Sequence, residues 1–458
     1  MVTSFDAIII GTGQSGPPLA GRLTAAGMRV AIIERKRFGG TCVNNGCIPT
    51  KSLVASAKAI QMARRAADYG FRTGEITVDM QAVKARKDGI VAASNQGVEN
   101  WLRGMQNCTV YQGHARFESP STVRVGDDVL EAGKIFINVG CRAAKPAIRG
   151  LDTVGFLNNS SMMAVDFLPR HLVILGGSYI GLEFGQMYRR FGSEVTVIEH
   201  AERLISHEDP DICDAIRRIL EGEGIRILTS ASVGGVSQTG ERLICKVSIA
   251  GKDQEIEGSH LLVATGRVPN TGDLGLERAG VGVDARGFIQ VDNQLCTNVP
   301  GIWATGDCNG RGAFTHTSYN DFEIVAANLL DNDPRRVSDR ILAYNLYIDP
   351  PLGRCGMNET TLRKSGRKAL IATRPMTRVG RAVEKGETQG FLKVLVDAES
   401  KLILGASLLG VECDEVVHSL LDIMYAKAPY TVIRRAMHIH PTVSELVPTL
   451  LGDLRPLD

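Results

Sequence analysis

Residues 39–53 read GGTCVNNGCIPTKSL. Cys42 and Cys47 have four residues between them, close enough to close a disulfide if the backbone curls into one turn. The run from Ser52 to about Asp68 is Ala-rich with helical periodicity, and its helix is expected to start near the second cysteine. A helix N-terminus favours a thiolate over a thiol. Lys51, one turn beyond Cys47, puts a cation on the same face as the sulfur. Two unrelated buried cysteines are the plain alternative, since free cysteine is often core. The spacing, Gly39, Gly40 and Lys51 together favour a redox pair.

Toward the N-terminus, residues 5–34 read as strand, turn, helix and strand. FDAIII is a buried strand, and GTGQSG sets Gly11, Gly13 and Gly16 in G-x-G-x-x-G spacing. An Ala/Leu helix runs to Gly27, and the strand MRVAII ends in Glu34. The first glycine makes the turn, the second lets a pyrophosphate approach the backbone, and the third allows close helix–strand packing. The helix N-terminus favours phosphate charge, and Glu34 can hydrogen-bond a ribose 2′-hydroxyl. Pro17 and Pro18 fall in the first helical turn, where N–H groups need no intrahelical partner.

The same pattern returns in HLVILGGSYIGLEFGQMYRRFGSEVTVIEH from His171. Gly176, Ser178 and Gly181 hold the fingerprint positions, with a small serine where the middle glycine is usual. Two such units imply two dinucleotides. Glu199, the acid ending the second unit, suits the free ribose hydroxyls of NADH, whereas an NADPH site favours arginine there. His200 and Arg203 lie nearby and keep NADPH open.

At 458 residues the chain has room for about three domains. A net charge of +2 and 5% aromatic residues give no bulk case for nucleic acid or for an anionic membrane surface. Ten cysteines are too sparse for a secreted disulfide scaffold, and the eight outside the pair read as packing. Met1–Ser4 lead straight into a strand, so no signal peptide is expected, and no apolar run approaches membrane-spanning length. A cytoplasmic protein is expected. Residues 75–110 read as a second helix pair from about Asp79 to Gln106, and residues 331–340 as a polar linker.

GGTCVNNGCIPTKSL closely resembles the active-site segment of the class I pyridine nucleotide–disulfide oxidoreductases, the family of dihydrolipoamide dehydrogenase, glutathione reductase and mercuric reductase. ATGRVPN at 264–270, GIWATGDC at 301–308 and the HPTVSE ending at 440–445 extend the resemblance along essentially the whole chain. It implies an α/β fold with two Rossmann-like dinucleotide-binding domains, for FAD and for NAD(P)H, and a C-terminal α+β dimerisation domain. The implied division is an FAD-binding domain from residues 1–150 and 269–340, an NAD(P)H-binding domain at 151–268, and an interface domain at 341–458 that pairs two chains as a homodimer.

The resemblance also implies roles. Gly11, Gly13, Ser15, Gly16 and Glu34 would hold FAD, together with Gly40, Thr41 and Lys51 of the cysteine segment. The segment Gly113–Ala115 would pack on the adenine, and Asp307 would bond the ribitol, where a plain turn aspartate is the alternative. Gly140 and Gly266 complete that set, and Cys141 stands where serine is usual and reads as structural. NADH would occupy the cradle of Gly176, Ser178, Gly181 and Glu199, with Tyr179 as the gating aromatic. Glu183 would pair with Lys51 near the flavin, although spacing alone leaves both as ordinary surface charges. Cys47 would be the flavin-facing charge-transfer thiolate and Cys42 the sulfur that exchanges with substrate. His440, oriented by Glu445, would be the base, acting on the cysteines of the partner chain.

The C-terminal half looks closer to mercuric-reductase-like and hypochlorite-response copper-reductase-like members. LLGDLRPLD carries no vicinal cysteines, and no N-terminal metal-carrier domain is expected. The expected activity is therefore electron transfer from NAD(P)H, through the flavin and the Cys42–Cys47 disulfide, to a metal ion or small oxidant. A dihydrolipoamide dehydrogenase or low-molecular-weight disulfide reductase is one alternative. A non-catalytic flavin-bound scaffold is another. No resident metal site is expected.

Overall fold

Ala7–Ile10 is a continuous apolar run and Val30–Glu34 an apolar run closed by an acid, both buried along their whole length, the pattern of strands covered on both faces of a parallel sheet. In the computed structural model, which describes Val2–Leu457, they lie side by side within a five-stranded parallel sheet. Its order is Ile302–Ala304, Ile135–Ile137, Ala7–Ile10, Val30–Glu34, Cys108–Gln112. Leu19 and Leu23 of the helix Gly16–Ala25 and Phe322 and Val325 of the helix Thr315–Ala326 pack in one core with Ile9 and Ile32. Ile8, Ile10 and Ile33 pack in another with Phe117, Val123 and Leu130, side chains from a four-stranded sheet.

The N-terminal strand is not one piece. Asp6 interrupts it by accepting the Arg29 backbone N–H at 2.7 Å. Val2–Phe5 then joins the four-stranded sheet while Ala7–Ile10 joins the parallel one. Residues 134–143, KIFINVGCRA, likewise hold two separate strands, Ile135–Ile137 and Cys141–Ala143. The expected helix pair at 79–106 is a single 25-residue helix, Met80–Gly104. Gly89 and Gly97 sit inside it where a Cβ would meet nothing, so neither interrupts it. The stretch 331–340 is not only a polar linker, since Arg340 is largely buried and pairs with Asp321 at 2.5 Å.

The chain forms two compact units. One comprises the residues up to Ser52 with Gln81–Lys145 and Thr265–Arg340, and the other Leu53–Met80, Pro146–Ala264 and the residues from Ile341 onward. The second unit holds another five-stranded parallel sheet, in the order Phe156–Leu157, His260–Val263, His171–Leu175, Glu194–Ile198, Arg226–Leu228. An antiparallel sheet of Ala231–Thr239, Arg242–Ile249 and Lys252–Gly258 follows. A six-stranded antiparallel sheet, with Phe391–Asp397 and Ile403–Leu409 near its centre, carries the C-terminal residues. Among the described residues no helix is long and apolar enough to cross a membrane.

Within the second unit, Lys393 is buried on the strand Phe391–Asp397, its ammonium 2.9 Å from Asp209 and 2.7 Å from Asp211. Burial opposes charge on Asp209, but Lys393 and the Thr360 N–H outweigh it and hold the carboxyl below its ordinary range. Replacing Lys393 with Met is expected to leave Asp209 buried without its cation, lowering unfolding free energy by about 3 kcal/mol in denaturant titrations. Because the folded carboxyl is depressed, the wild-type contribution is complete above about pH 4 and is lost as pH falls further. Stability of Lys393→Met equal to wild type would show that the cluster contributes nothing.

Candidate active site

Gly11 and Gly176 end equivalent strands in left-handed conformations, with φ of 107° and 110°. A Cβ on Gly16 would stand 2.3 Å from the Gly11 carbonyl oxygen, and one on Gly181 would stand 2.0 Å from that of Gly176. Only glycine permits this contact, which presses each helix start against its turn. The acids close the turns from the neighbouring strand. Glu34 accepts the Thr12 N–H at 3.2 Å and the Thr12 hydroxyl at 2.6 Å, and Glu199 accepts the Gly177 N–H at 2.5 Å. Each carboxylate also accepts a second backbone N–H, from Lys36 and from Ala201 respectively.

Thr12 joins the first cradle to the cysteine segment, because its hydroxyl oxygen also accepts the Gly39 N–H at 3.2 Å. Gly40 abuts Gly13 so closely that a Cβ on it would lie 2.8 Å from the Gly13 Cα. Cys42 lies in the short helix Gly40–Asn44 and Cys47 opens the helix Cys47–Arg64. Between them the Thr41 carbonyl accepts the Asn45 N–H, and Gly46 packs against that carbonyl where a Cβ would sit 2.8 Å away. The Cys47 sulfur lies 3.0 Å from the hydroxyl of Thr315, the first residue of the helix Thr315–Ala326. Two helix N-termini thus meet at the pair. Both cysteines are half-buried thiols. The hydrogen bond to Cys47 and burial push the Cys42 thiol well above its ordinary range. Lys51 lies one turn further along the same helix, half-buried.

Asp307 is next to the first cradle. The Ser15 hydroxyl is 2.5 Å from that of Thr305, and the Asn138 amide lies within about 3 Å of where Cβ atoms on Gly13 and Gly306 would stand. Asp307 pairs with Arg267 at 2.8 Å, and its burial pushes the carboxyl up against that cation. Cys141 is pushed up to about 12 by burial and packs as a thiol. Gly140 and Gly266 lie on the crossing back into this unit, where Gly266 accepts the Ala144 N–H and Gly140 that of Asn270. The Gly113 N–H bonds the Glu34 carbonyl, which puts Ala115 just beyond the acid. This cradle fits a dinucleotide. Gly13 leaves room for phosphate, and the buried Asn138 Nδ2 beside it has no protein partner.

In the second unit, Ser178 precedes the helix Tyr179–Phe191, and the Tyr179 hydroxyl is 2.6 Å from His207 Nε2. Glu183 is buried and accepts the Tyr347 N–H at 3.0 Å. His440 is exposed, its Nδ1 2.9 Å from Glu445. That bond fits the tautomer with its proton on Nδ1 and a lone pair on Nε2. His438 is half-buried, with Nδ1 3.3 Å from the Ala436 carbonyl. Sequence reasoning did not find Thr12, Asn138, Arg267 or Thr315. Thr12 and Arg267 lie inside quoted motifs, GTGQSG and ATGRVPN, whereas Thr315 reaches its sulfur across 268 residues.

The model of the pyridine nucleotide-disulphide oxidoreductase family matches residues 5–321, and that of its dimerisation domain matches residues 342–451. The probable pyridine nucleotide-disulfide oxidoreductase RclA of Escherichia coli is 36% identical, over 97% of this chain and 98% of its own. A dihydrolipoyl dehydrogenase of Thermus scotoductus is 32% identical over 96% of this chain and 95% of its own. A mercuric reductase of Bacillus cereus is 30% identical over 95% of this chain and 70% of its own. A solved structure, described as the Cu(II) complex of HOCl-induced flavoprotein disulfide reductase RclA from Escherichia coli, is similar with a TM-score of 0.89. It is 36% identical and covers 97% of this chain and 99% of that one.

Thr315 is the contact most directly tied to thiol chemistry. A hydroxyl donating to a sulfur favours the thiolate, so Thr315→Val is expected to raise the apparent thiol pKa. Alkylation of the reduced protein by iodoacetamide near neutral pH should slow by about tenfold. Mass spectrometry of the labelled cysteine peptide reads the rate. An unchanged rate would remove Thr315 from the sulfur's environment.

Proposed function

The chain belongs to the pyridine nucleotide-disulphide oxidoreductase family, and on that footing we propose that it passes electrons from NADH through Cys42 and Cys47 to a metal ion or small oxidant. It is an FAD-dependent oxidoreductase of the NAD(P)H-using kind, with two Rossmann-like dinucleotide-binding domains and a C-terminal dimerisation domain. The proposed division keeps FAD with residues 1–150 and 269–340, the nicotinamide nucleotide with 151–268, and pairing with 341–458. The contact of Cys47 with Thr315 at the junction of two helix N-termini carries the reading, because it favours one thiolate beside one retained thiol.

Bound FAD supplies the step that turns a hydride from the nicotinamide into an electron pair for the cysteines. Gly11, Gly13, Ser15, Gly16 and Glu34 would hold its phosphates and ribose, with Gly40, Thr41, Ala115, Gly140, Gly266 and Asp307 along its length. Lys51 would place a cation near it. Gly176, Ser178, Gly181 and Glu199 would hold NADH, with Tyr179 as gate and Glu183 near the reacting end. Cleavage of the Cys42–Cys47 bond takes up two electrons and one proton, giving a Cys47 thiolate and a Cys42 thiol. Attack by Cys42 on a substrate disulfide needs that proton removed, and His440 Nε2, oriented through Nδ1 by Glu445, has the free lone pair for it.

A soft cation such as Cu(II) or Hg(II) suits two sulfur ligands. Reoxidation of the dithiol to the disulfide supplies two electrons, enough to take two Cu(II) to Cu(I). The relatives described as a mercuric reductase and a Cu(II) complex support this class of acceptor. The His440–Glu445 hydrogen bond favours a second reading, a dithiol or low-molecular-weight disulfide substrate, as does the dihydrolipoyl dehydrogenase relative. We also propose a homodimer in which His440 serves the cysteines of a second copy. Met437 and Ile439, apolar and almost fully exposed beside it, support pairing there. A cycling dithiol suits the reducing cytoplasm.

An acceptor screen is expected to separate the two substrates. NADH oxidation with Cu(II), Hg(II), lipoamide and glutathione disulfide should show metal turnover that is lost in Cys42→Ser. His440→Ala should depress any disulfide turnover far more than metal turnover, since metal transfer has no leaving thiol to protonate. Fast lipoamide or disulfide reduction with inert metals would establish the second reading instead.

NADH should exceed NADPH in kcat/KM by about tenfold or more, because Glu199 repels a 2′-phosphate. Arg203, the nearby cation, is paired with Glu202 and Asp214. Equal kcat/KM for the two nucleotides would overturn this preference.

A further inference from the structure

We propose that His207 is a latch on Tyr179, which the reducing nucleotide must release on entering, a role that rests on the reading of Tyr179 as the gating aromatic. Tyr179 is the first residue of its helix, so its ring leaves the chain at the nucleotide turn itself. The hydroxyl bonds His207 Nε2 at 2.6 Å, and the two rings lie 5.4 Å apart in a tilted contact. Tyr344 stands edge-on to both rings, at 5.6 Å from Tyr179 and 5.9 Å from His207. The phenol is thus held by its bond to His207, by a side-chain hydrogen bond with Tyr344 and by the edge of that ring.

The latch has a fixed base. Three consecutive residues, His207, Glu208 and Asp209, are each tied to the C-terminal part of the unit. Asn358 donates to the His207 carbonyl at 2.9 Å. Glu208 accepts from the Tyr344 hydroxyl and faces the Arg354 guanidinium at 3.3 Å, both charges being excluded from solvent. Asp209 accepts from Lys393 and from the N–H groups of Glu359 and Thr360. Ile205, two residues before the latch, has a φ of +46°, a strained setting for a β-branched side chain that its surroundings must hold in place. The backbone of the segment is therefore clamped, whereas the His207 ring stays open to solvent on its outer side. A mobile ring on an immobile backbone can release the phenol and capture it again.

Release of the His207 bond exchanges one protein hydrogen bond for one to water, so the latch weakens nucleotide binding modestly without blocking it. His207 acts through Tyr179 and is a positioning residue. Its signature is a change in KM and in nucleotide affinity with kcat retained, and the effect must disappear when the Tyr179 hydroxyl is absent.

The test uses the full-length FAD-loaded protein with matched flavin content and melting temperature. Calorimetric titration with NAD⁺ gives affinity, and steady-state oxidation of NADH gives KM and kcat. His207→Phe, which keeps a ring and loses the bond, is expected to bind about fivefold more tightly and to lower KM in parallel. His207→Ala should do the same if the phenylalanine crowds the site, and His207→Gln, which keeps an acceptor, should stay near wild type. Adding His207→Phe to Tyr179→Phe, which loses the Tyr344 bond as well, should change nothing further. Unchanged affinity in both His207→Phe and His207→Ala would overturn the latch. So would an effect of His207→Phe that is equally large in the wild-type and the Tyr179→Phe backgrounds. Tyr179→Ala separates the two levels. If it leaves nucleotide affinity and KM unaltered, the gating reading fails together with the latch, and if it alters them while the His207 variants do not, the latch alone fails.

Discussion

The carbonyl oxygens of Gly11 and Gly176 occupy the space where side chains on Gly16 and Gly181 would begin, at 2.3 and 2.0 Å from the Cβ positions. Each helix is thereby pressed onto the end of its strand, and its first N–H groups gather at the turn, where phosphate charge is favoured. The next strand must then end in an acid able to reach back, and Glu34 and Glu199 both do so with two backbone bonds each. In the first unit the constraint extends further. Thr12 stands between Glu34 and Gly39, so the hydrogen bonds that close the nucleotide turn also hold the start of the cysteine segment. The Cys42–Cys47 segment is placed by the same geometry that makes the cradle.

The chemistry of that pair follows from asymmetry. Cys47 sits at a helix N-terminus with a hydroxyl 3.0 Å from its sulfur, and Cys42 hydrogen-bonds it from the preceding short helix. The helix N-terminus and the hydroxyl favour a thiolate at Cys47, whereas burial and the bond to Cys47 push the Cys42 thiol up. Such a pair can hold an electron pair on two neighbouring sulfurs while only one of them is charged. In the proposed function the exposed His440, its Nδ1 held by Glu445, would remove the remaining proton on a second copy.

Local pattern made much of this legible. Glycine spacing, terminal acids and the Cys42–Cys47 motif are short-range features, and the two parallel sheets with their glycine-rich turns follow from them. What escaped was either long-range or locally ambiguous. Thr315 and Cys47 are 268 positions apart, and no periodicity links them. Arg267 meets Asp307 because the chain crosses back at 264–270, a contact visible only after folding. The interruption at Asp6 depends on the Arg29 backbone, and the hairpin strands Ala231–Thr239 and Lys252–Gly258 have exposed polar faces that weaken the strand signal. His207 carried no motif at all. Its place beside Tyr179 is set by Glu208 and Asp209, whose partners lie 136 to 184 positions away.

The central claim is that the cysteines form a second electron reservoir behind the bound flavin. Anaerobic reductive titration of the purified protein measures it directly, by counting the electrons taken up before the flavin is fully bleached. Wild type is predicted to take up one electron pair more than the Cys42→Ser/Cys47→Ser double variant with the same flavin content. Equal uptake by the two proteins would contradict the account.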